Sequence, residues 1–398
     1  MNVSIASYTL TSACGWGLQP LRESLESRVS ALQPNNYADS HLDTWIGRVA
    51  GIEEHELPTP LQHLDSRNNR LSDLALLQDG FSDKVSLACD QFGPTRVGII
   101  LGTSTSSVGK TESGYARLDV NDQMPAEYQQ ADVHNPHAPG NYVAQRLGVT
   151  GPAMTISTAC SSSSKVFAAA SRWLACGLVD AVVVGGVDSL CLSILHGFAS
   201  LELISAQKCK PFDRNRNGIN IGEAAGFALL TRSDNRIAAA DAQFALTGIG
   251  ESSDAYHMAQ PHPDGRGATA AMSAALTTSG LSCNQIGYIN LHGTATPAND
   301  LTETKALAAL FNEQTLASST KGWTGHTLGA AGITGAIIAL ESLSQSRVPG
   351  TLNLDEPDES MQFPIARDNI DRHYHHAMVN SFGFGGNNCS LIFSRVLH

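Results

Sequence analysis

Short, largely apolar runs that end in glycine or Gly-Thr recur in both halves of this chain, and they constrain its fold most. In the first half, residues 96–103 and 181–186 are runs of this kind, rich in valine and isoleucine. In the second half, residues 286–294 repeat the pattern. Runs without polar alternation are typical of strands covered on both faces, and amphipathic helical patterns separate them here. We therefore predict an α/β fold with mixed sheets and a weak internal repeat.

The length of the chain points to the same organisation. At 398 residues it exceeds what one hydrophobic core usually holds, so two domains or a duplicated fold are expected. The alternating pattern loosens between Ser233 and Ala242. We predict an N-terminal half of residues 1–240 and a C-terminal half of residues 241–398.

Composition excludes several classes of protein. A net charge of -12 argues against general nucleic-acid binding. The eight cysteines are scattered without CxxC pairs, which favours free thiols in a reducing cytoplasm and no zinc. The N-terminus has no basic segment followed by an apolar run, and we find no stretch apolar enough to span a membrane. We expect a cytoplasmic protein without a bound metal.

One cysteine stands where a nucleophile would be activated. Residues 155–165 pass from a β-prone run through small residues into an alanine-rich helical pattern, which places Cys160 at a helix start. Free N–H groups and the helix dipole favour a thiolate at such a position. The alternative is a small residue buried in a tight turn, since free cysteines are commonly buried.

Two histidines in the second half have similar surroundings. His292 is followed by Gly-Thr-Ala-Thr, and His326 is followed closely by residues 328–332, which are mostly glycine and alanine. Small neighbours let a substrate approach closely. For either histidine alone a structural or surface role is the ordinary interpretation. Their occurrence in one chain with Cys160 favours a catalytic set.

Four motifs together carry a family resemblance. They are Thr-Ala-Cys-Ser-Ser-Ser at 158–163, His-Gly-Thr-Ala-Thr at 292–296, Lys321 with Gly-His at 325–326, and Asn-Ser-Phe-Gly-Phe-Gly-Gly at 380–386. In this order and spacing, over nearly the whole chain, they resemble the β-ketoacyl-acyl-carrier-protein synthases, condensing enzymes of the thiolase-like superfamily. The resemblance implies a duplicated thiolase-like fold, layered α-β-α-β-α with two mixed sheets.

The resemblance also implies the chemistry. Cys160 attacks an acyl thioester on an acyl-carrier protein, and malonyl-carrier protein then loses CO2 to give an enolate that attacks the acyl group. His292 and His326 stabilise the enolate oxygen, while the backbone N–H groups of Cys160 and Phe384 form a second oxyanion hole. Phe384 resembles the family's gate between the acyl pocket and the entrance. No cofactor is implied on the enzyme itself, because the substrates are carried on the phosphopantetheine of the carrier protein.

Charged residues near these motifs have implied supporting roles. Lys321 resembles the lysine that adds positive potential and orders the histidines, although a solvated lysine is the alternative. Asp300 and Glu303 match a charged pair near the active site that is more structural than catalytic. Gly335 stands where many relatives have a glutamate that pairs with the lysine. Glu303 is the candidate substitute for that glutamate.

The remaining implied contacts concern the substrate. Thr294 and Thr296 match positions that hydrogen-bond the phosphopantetheine arm, although they could instead only stabilise a turn. Phe198 matches the lining of the acyl pocket, and Thr105 matches a residue of its floor.

The pathway and its alternatives stay open. The Cys-Ser-Ser-Ser form of the nucleophile turn leans toward polyketide-type enzymes, and with a shortened loop at 205–210 it favours an aryl polyene or other polyketide-like product as much as fatty-acid synthesis. One alternative is a non-catalytic chain-length partner of the same fold, but such subunits typically lack the nucleophile. Another is a degradative thiolase, which would need a second cysteine where this chain has Phe384.

Partners are the last expectation. The family is usually dimeric, so the second subunit is an identical chain or a relative that lacks the nucleophile. An acidic carrier protein would meet basic residues, for which the candidates are Arg67, Arg70, Lys208 and Lys210. Ordinary solvated charges explain these residues equally well.

Overall fold

The computed structural model describes residues 3–233 and 242–396. The predicted junction between residues 240 and 241 lies outside the described residues, so the boundary stays a prediction.

Strands and helices alternate along the described chain. The strands are β1 (Val3–Ser12), β2 (Gly15–Trp16), β3 (Gln33–Pro34), β4 (Trp45–Gly47), β5 (Val97–Gly102), β6 (Ala153–Ile156), β7 (Ala181–Asp188), β8 (Ile221–Gly222), β9 (Ala224–Arg232), β10 (Phe244–Ser253), β11 (Tyr288–Asn290), β12 (Leu316–Ser318), β13 (Arg347–Val348), β14 (Ile370–Asp371), β15 (His376–Gly383) and β16 (Asn387–Arg395). The α-helices are α1 (Leu18–Ser27), α2 (Arg67–Leu76), α3 (Phe81–Phe92), α4 (Val108–Tyr115), α5 (Ala138–Leu147), α6 (Ser162–Ala175), α7 (Leu192–Ser200), α8 (Arg266–Ser279), α9 (Pro297–Ala308), α10 (Lys321–Thr324) and α11 (Ala331–Gln345).

The central sheet is built from two copies of one strand pattern. In the first half the spatial order is β1-β9-β7-β5-β6, with two antiparallel pairings followed by two parallel ones. In the second half β10-β16-β15-β11-β12 repeats that order and those directions. The two halves join through a short antiparallel pairing of Val3–Ile5 with residues 244–246. The predicted duplicated fold with mixed sheets is therefore confirmed, and the two five-stranded mixed sheets are joined edge to edge into one continuous sheet.

Helices cover the strands in three layers. α6 and α11 contact each other and strands of both halves, and Phe167 of α6 packs edge-on against Phe393 of β16 at a ring-centroid distance of 5.5 Å. α2, α3 and α5 cover the other face of the first half. α8, with α9 beside it, covers the other face of the second half. This order confirms the predicted α-β-α-β-α layering.

The central helix α11 corrects one expectation. Residues Leu328–Gln345 have a mean hydropathy of 1.2 over 18 residues, so by length and composition they are apolar enough to cross a membrane. The prediction that no stretch reaches that level is wrong. Because 83% of this window is buried inside the protein between the two halves, its apolar character is that of a core helix.

The run at 286–294 forms a shorter strand than its apolar character suggests. β11 pairs with its neighbours only from Tyr288 to Asn290. Beyond it, the backbone N–H groups of His292 and Gly293 turn away from the sheet and donate to the Glu303 carboxylate at 2.9 and 2.7 Å. The chain therefore leaves the sheet just where His292 enters the interior of the protein.

Candidate active site

Strand ends from both halves deliver the predicted residues to one place. Cys160 follows β6, His292 follows β11, and Lys321 follows β12 at the start of α10. β15 ends at Gly383, directly before Phe384. Because the parallel strands of each half end on the same edge, residues far apart in sequence meet there.

The nucleophile lies in a sharp turn between β6 and α6. Ala159, directly before Cys160, has a left-handed backbone with φ +52°, which is strained for a residue with a side chain. The hydroxyl of Ser162 donates to the Ala159 carbonyl at 2.6 Å and accepts the Thr158 N–H at 2.9 Å. These bonds hold the turn so that Cys160, only 5% exposed, presents its sulfur to the interior of a pocket.

The two histidines complete a compact set with the thiol. The Cys160 Sγ lies 3.0 Å from Nε2 of His326. One nitrogen of each imidazole and the sulfur all lie within 4.8 Å of one another, and the two rings stand nearly perpendicular at a centroid distance of 5.4 Å. The structure therefore brings together the three residues on which the sequence interpretation depends most.

The surroundings of the Nδ1 atom assign the tautomer of each imidazole. The Nδ1 atoms of His292 and His326 are buried and have no hydrogen-bond partner among the described residues. A buried N–H without an acceptor is rare in folded proteins, so we assign the proton of each ring to Nε2. Burial, reinforced by the nearby Lys321 cation, holds the pKa of both histidines well below the usual range. Both rings are therefore neutral and direct an Nε2–H donor into the site.

The thiol itself is protonated in the resting protein. Burial raises the pKa of Cys160 to about 11, against the Lys321 cation and hydrogen bonds from the backbone N–H groups of Phe384 and of Cys160 itself, which lower it. The same two N–H groups are the predicted oxyanion hole. They therefore lie where they can reach an oxyanion that forms next to the sulfur.

Lys321 and Glu303 hold the His292 peptide from opposite sides. The Lys321 ammonium donates to the His292 carbonyl oxygen, while Glu303 accepts the His292 and Gly293 N–H groups. Burial raises the pKa of Glu303 to about 7, and these hydrogen bonds and Lys321 oppose that rise. Burial likewise lowers the pKa of Lys321, and Glu303 is the foremost charge that counters it. Glu303 is thus the carboxylate that faces Lys321 in this chain.

The position of the missing family glutamate has little room for one. A Cβ atom added to Gly335 would lie 3.0 Å from Oδ1 of Asn290 and 3.0 Å from a methyl group of Val379. Asn290 in turn donates to the hydroxyls of Tyr288 and Thr320 at 3.0 and 3.2 Å. A neutral polar network therefore fills this space.

A pocket of about 890 Å³, counted out to its open mouth, leads to the thiol. Thr294, Thr296, Phe198 and Phe384 all line it, and the rings of Phe198 and Phe384 lie 5.7 Å apart. The hydroxyls of the two threonines bond to each other at 2.8 Å, so both the turn-stabilising and the substrate-binding interpretations are compatible with their position.

Two predicted residues lie outside this lining. Thr105 is absent from the described residues that line the pocket, and its hydroxyl instead donates to the buried Asp188 at 2.7 Å. Its assignment to the pocket floor stays a prediction. Asp300 accepts the N–H groups of Phe212 and Ala295 at 2.8 and 3.2 Å, which makes it an anchor for the loops around the site.

Sequence reasoning assigned no role to Asn380 and Phe382. Asn380 donates to Glu303 at 3.3 Å, and the Phe382 ring lies 6.0 Å from the His292 ring and lines the pocket. The signal was present, since both belong to the Asn-Ser-Phe-Gly motif. Their contacts become visible only when β15 is placed beside β11.

The same three ligand atoms could in principle coordinate a transition metal. Metal-bound histidines normally use their second ring nitrogen to donate to a carboxylate or carbonyl. Here the second nitrogens of His292 and His326 have no partner among the described residues, and a lysine adds positive charge beside them. The arrangement does not fit a resident metal site.

Comparisons with known proteins agree with this geometry. Residues 75–236 match the family model described as beta-ketoacyl synthase, N-terminal domain, and residues 244–355 match the corresponding C-terminal domain. The chain is 34% identical to 3-oxoacyl-[acyl-carrier-protein] synthase 2 of Vibrio cholerae, over 95% of this chain and 97% of that protein. It is 32% identical to Nodulation protein E of Rhizobium sp. strain N33, over 96% and 97%.

Solved structures give the same result. A ketosynthase in complex with its chain length factor, from Xenorhabdus doucetiae, superposes with a TM-score of 0.87 at 36% identity and covers 99% of this chain and 98% of that one. The ishigamide ketosynthase/chain length factor superposes with a TM-score of 0.89 at 23% identity, over 100% and 99%, which bears on the fold alone.

Proposed function

The chain belongs to the β-ketoacyl synthase family, and from that premise we propose that it extends an acyl chain by decarboxylative Claisen condensation with malonyl-acyl-carrier protein at Cys160. The observation that carries the proposal is the meeting of one thiol and two neutral imidazoles, within 4.8 Å of one another, at the inner end of one pocket.

The first step loads the enzyme. The Cys160 sulfur attacks the carbonyl carbon of an acyl thioester, and the N–H groups of Cys160 and Phe384 hold the oxygen that becomes negative. The C–S bond to phosphopantetheine then breaks, and the thiol proton of Cys160 ends on the departing sulfur. Because the thiol pKa is about 11, Lys321 and the backbone donors supply the stabilisation that the thiolate needs during attack.

The second step generates the carbon nucleophile. The bond between the malonyl carboxylate carbon and its α-carbon breaks, CO2 leaves, and the electron pair forms an enolate whose oxygen carries the charge. The Nε2–H groups of His292 and His326 donate to that oxygen. Neutral imidazoles suit this task because each keeps an Nε2–H donor for the enolate oxygen.

The third step joins the two groups. The enolate carbon attacks the acyl carbon on Cys160, and the bond from that carbon to the sulfur breaks. The β-ketoacyl product leaves on the carrier protein, and the sulfur takes up one proton from solvent. Each cycle therefore consumes one malonyl group and one proton and releases one CO2.

The alternatives fit the site less well. A non-catalytic chain-length subunit would have no use for a cysteine 3.0 Å from a histidine in a pocket. A thiolase would require a second thiol at the pocket, but Phe384 lines it there and Cys389 is buried within β16. Neither alternative has an observation in its favour.

Carrier-protein docking belongs to the proposal. Arg67 is engaged by the buried Glu223 at 2.6 Å and Arg70 by Asp65 at 2.5 Å, so neither is a freely solvated cation. Lys208 and Lys210 have no ion pair within residues 3–233 and 242–396, although the Lys208 ammonium lies over the Trp45 ring, 4.6 Å from its centroid. Their loop leads to Ile219 in the pocket wall. We assign these two lysines to the acidic carrier protein, and charge reversal at both should raise KM for acyl-carrier protein more than it lowers kcat.

The second subunit is also part of the proposal. The Xenorhabdus relative at 36% identity is a ketosynthase in complex with a chain length factor. We assign this chain to the catalytic position of such a pair, with a homodimer as the other arrangement. Co-expression with a ketosynthase-like chain that lacks the nucleophile, followed by mass measurement of the purified assembly, separates the two arrangements.

Acylation of the nucleophile tests the function. Incubation with acyl-acyl-carrier protein should add one acyl mass to the intact protein, and peptide mapping should place it on Cys160. Cys160→Ala should remain unmodified, whereas Cys389→Ala, which removes another buried thiol, should be acylated like the wild type. Acylation that persists in Cys160→Ala would refute the assignment.

A further inference from the structure

A second carboxylate lies buried close to the thiol, at the end of β7. Asp188 is the last residue of that strand, and its side chain is 0% exposed. No lysine, arginine or histidine forms an ion pair with it in the part of the chain that the structure describes. A buried carboxylate without a cation is costly and persists only when hydrogen bonds replace its hydration.

Donors from two separate loops surround the Asp188 carboxylate. Oδ1 accepts the hydroxyls of Thr103 and Thr105 at 2.6 and 2.7 Å, and the N–H groups of Thr105 and Ser104 at 2.9 and 3.0 Å. Oδ2 accepts the N–H of Ser104 at 2.9 Å and that of Gly329 at 2.6 Å. The three N–H groups are fixed donors, so both oxygens must act as acceptors.

These donors belong to the segments that carry the reacting residues. Gly329 lies three residues after His326, in the turn before α11. The hydroxyl of Ser104 donates to the carbonyl of Ala159 at 3.3 Å, and Ala159 is the strained residue directly before Cys160. Asp188 therefore connects the loop of His326 with the turn of Cys160.

We propose that Asp188 is a positioning residue for the condensation, which sets the separation of the Cys160 sulfur and the His326 imidazole through Gly329 and Ser104. The inference rests on the proposed function at Cys160. Asp188 touches neither substrate nor the reacting atoms, so its action passes through the two loops that it holds.

The site requires a carboxylate and a glycine. A Cβ added to Gly329 would lie 2.6 Å from Oδ2 of Asp188 and 2.6 Å from the Ser104 nitrogen, so the contact depends on the absence of a side chain. An asparagine at 188 has the same shape but only one acceptor oxygen. Its NH2 group would face at least one fixed N–H donor in either orientation, which pushes one loop away.

The carboxylate also acts on the thiol through its charge. Lys321 lowers the pKa of Cys160 and the Asp188 carboxylate raises it, while the two groups of the pocket that face the sulfur, His326 and His292, are neutral. Removal of the negative charge therefore makes the thiolate easier to form. A variant without the carboxylate should lose turnover and gain thiol acidity at once, a combination that a purely structural role does not produce.

Asp188→Asn is the direct test. We expect condensation to fall about 100-fold, because a small misplacement of the reacting groups has an effect of that order. In the same variant, the pH profile for alkylation of Cys160 by iodoacetamide should move to lower pH. The matched control is Asp73→Asn. Asp73 is another buried carboxylate; it lies on α2 and pairs with Arg146 at 2.6 Å. The Asp73→Asn substitution should lower stability and leave the alkylation profile in place.

Ser104→Ala keeps the carboxylate and cuts only the bond to Ala159. We expect a roughly fivefold slower acylation of Cys160 with an unchanged alkylation profile, the size of effect that one hydrogen bond gives. If Asp188→Asn does not accumulate as folded protein, Ser104→Ala alone tests the proposal. Acylation of Cys160 at the wild-type rate in Ser104→Ala then overturns it. Condensation in Asp188→Asn that falls no further than in Asp73→Asn, with an unmoved profile, overturns it too. In both cases acylation of Cys160 in the wild type would leave the proposed function intact.

Discussion

Glu303→Gln tests whether the buried Glu303 carboxylate supports the decarboxylation step but not the loading of Cys160. Glu303 accepts the His292 and Gly293 N–H groups at 2.9 and 2.7 Å and faces Lys321, but it does not contact the turn of Cys160. A glutamine fills the same volume with one acceptor oxygen. One of the two peptide N–H groups would then meet an NH2 group, and the His292 ring would shift.

The magnitude follows from the lost bond. A hydrogen bond to a charged acceptor contributes about 1.5–3 kcal/mol. If that loss falls on the transition state for decarboxylation, the rate falls about 10- to 150-fold. Loading of Cys160 depends on the backbone donors of Cys160 and Phe384, so it should stay within about threefold of the wild type.

The assay separates the two half-reactions. Intact-mass spectrometry follows acylation of the protein, and release of CO2 from malonyl-acyl-carrier protein follows decarboxylation. Glu341→Gln is the control, because Glu341 is another glutamate, 2% exposed, that bonds Tyr8 and Arg22 away from the pocket. If acylation in Glu303→Gln falls as far as CO2 release does, Glu303 supports the fold as a whole. The claim that Glu303 acts on decarboxylation and not on acylation is then wrong.

Three further predictions concern pH and the pocket. The pKa of Cys160 near 11 predicts that alkylation by iodoacetamide keeps accelerating above pH 9, and Lys321→Met should move this profile to still higher pH because the cation that favours the thiolate is gone; a plateau near pH 8.5 would contradict this. The raised pKa of Glu303, about 7, means that the folded protein holds this proton more tightly than the unfolded chain, so its contribution to stability is complete below pH 4.5 and is lost as pH rises through 7. The free energy of unfolding of the wild type should therefore fall by about 3 kcal/mol relative to that of Glu303→Gln between pH 4.5 and 7.5 in denaturant titrations. Parallel curves of unfolding free energy against pH would refute this prediction. Phe198→Ala opens space beside Phe384, so kcat/KM should shift toward bulkier acyl groups in a panel of acyl-carrier proteins, and an unchanged ranking would remove Phe198 from the pocket's selectivity.

The sequence was most informative for features that a residue pattern specifies almost uniquely. The buried-strand runs predicted an α/β fold with mixed sheets because uninterrupted apolar stretches have few other uses. The layered arrangement was implied by the family resemblance. The motifs around Cys160, His292 and His326 predicted a shared site, and the structure brings them together.

Other features depend on tertiary partners that spacing does not reveal. Asp300 and Glu303 are three positions apart and were predicted as one structural pair, yet Asp300 anchors Phe212 and Ala295 whereas Glu303 holds the His292 peptide. Arg67 was predicted as a carrier-protein contact or a solvated cation because its partner Glu223 lies 156 residues away in sequence. The network of Asp188 was invisible for the same reason, since it joins loops from both halves.

The most direct measurement of the central claim is a chase of the loaded enzyme. Protein acylated on Cys160 and freed of acyl donor is mixed with malonyl-acyl-carrier protein, and both proteins are weighed by mass spectrometry. We predict that the acyl mass leaves the enzyme and appears on the carrier as the β-ketoacyl chain, longer by two carbons, with one CO2 released. An acyl group that stays on the enzyme, or leaves it as free acid or without extension, would contradict the account.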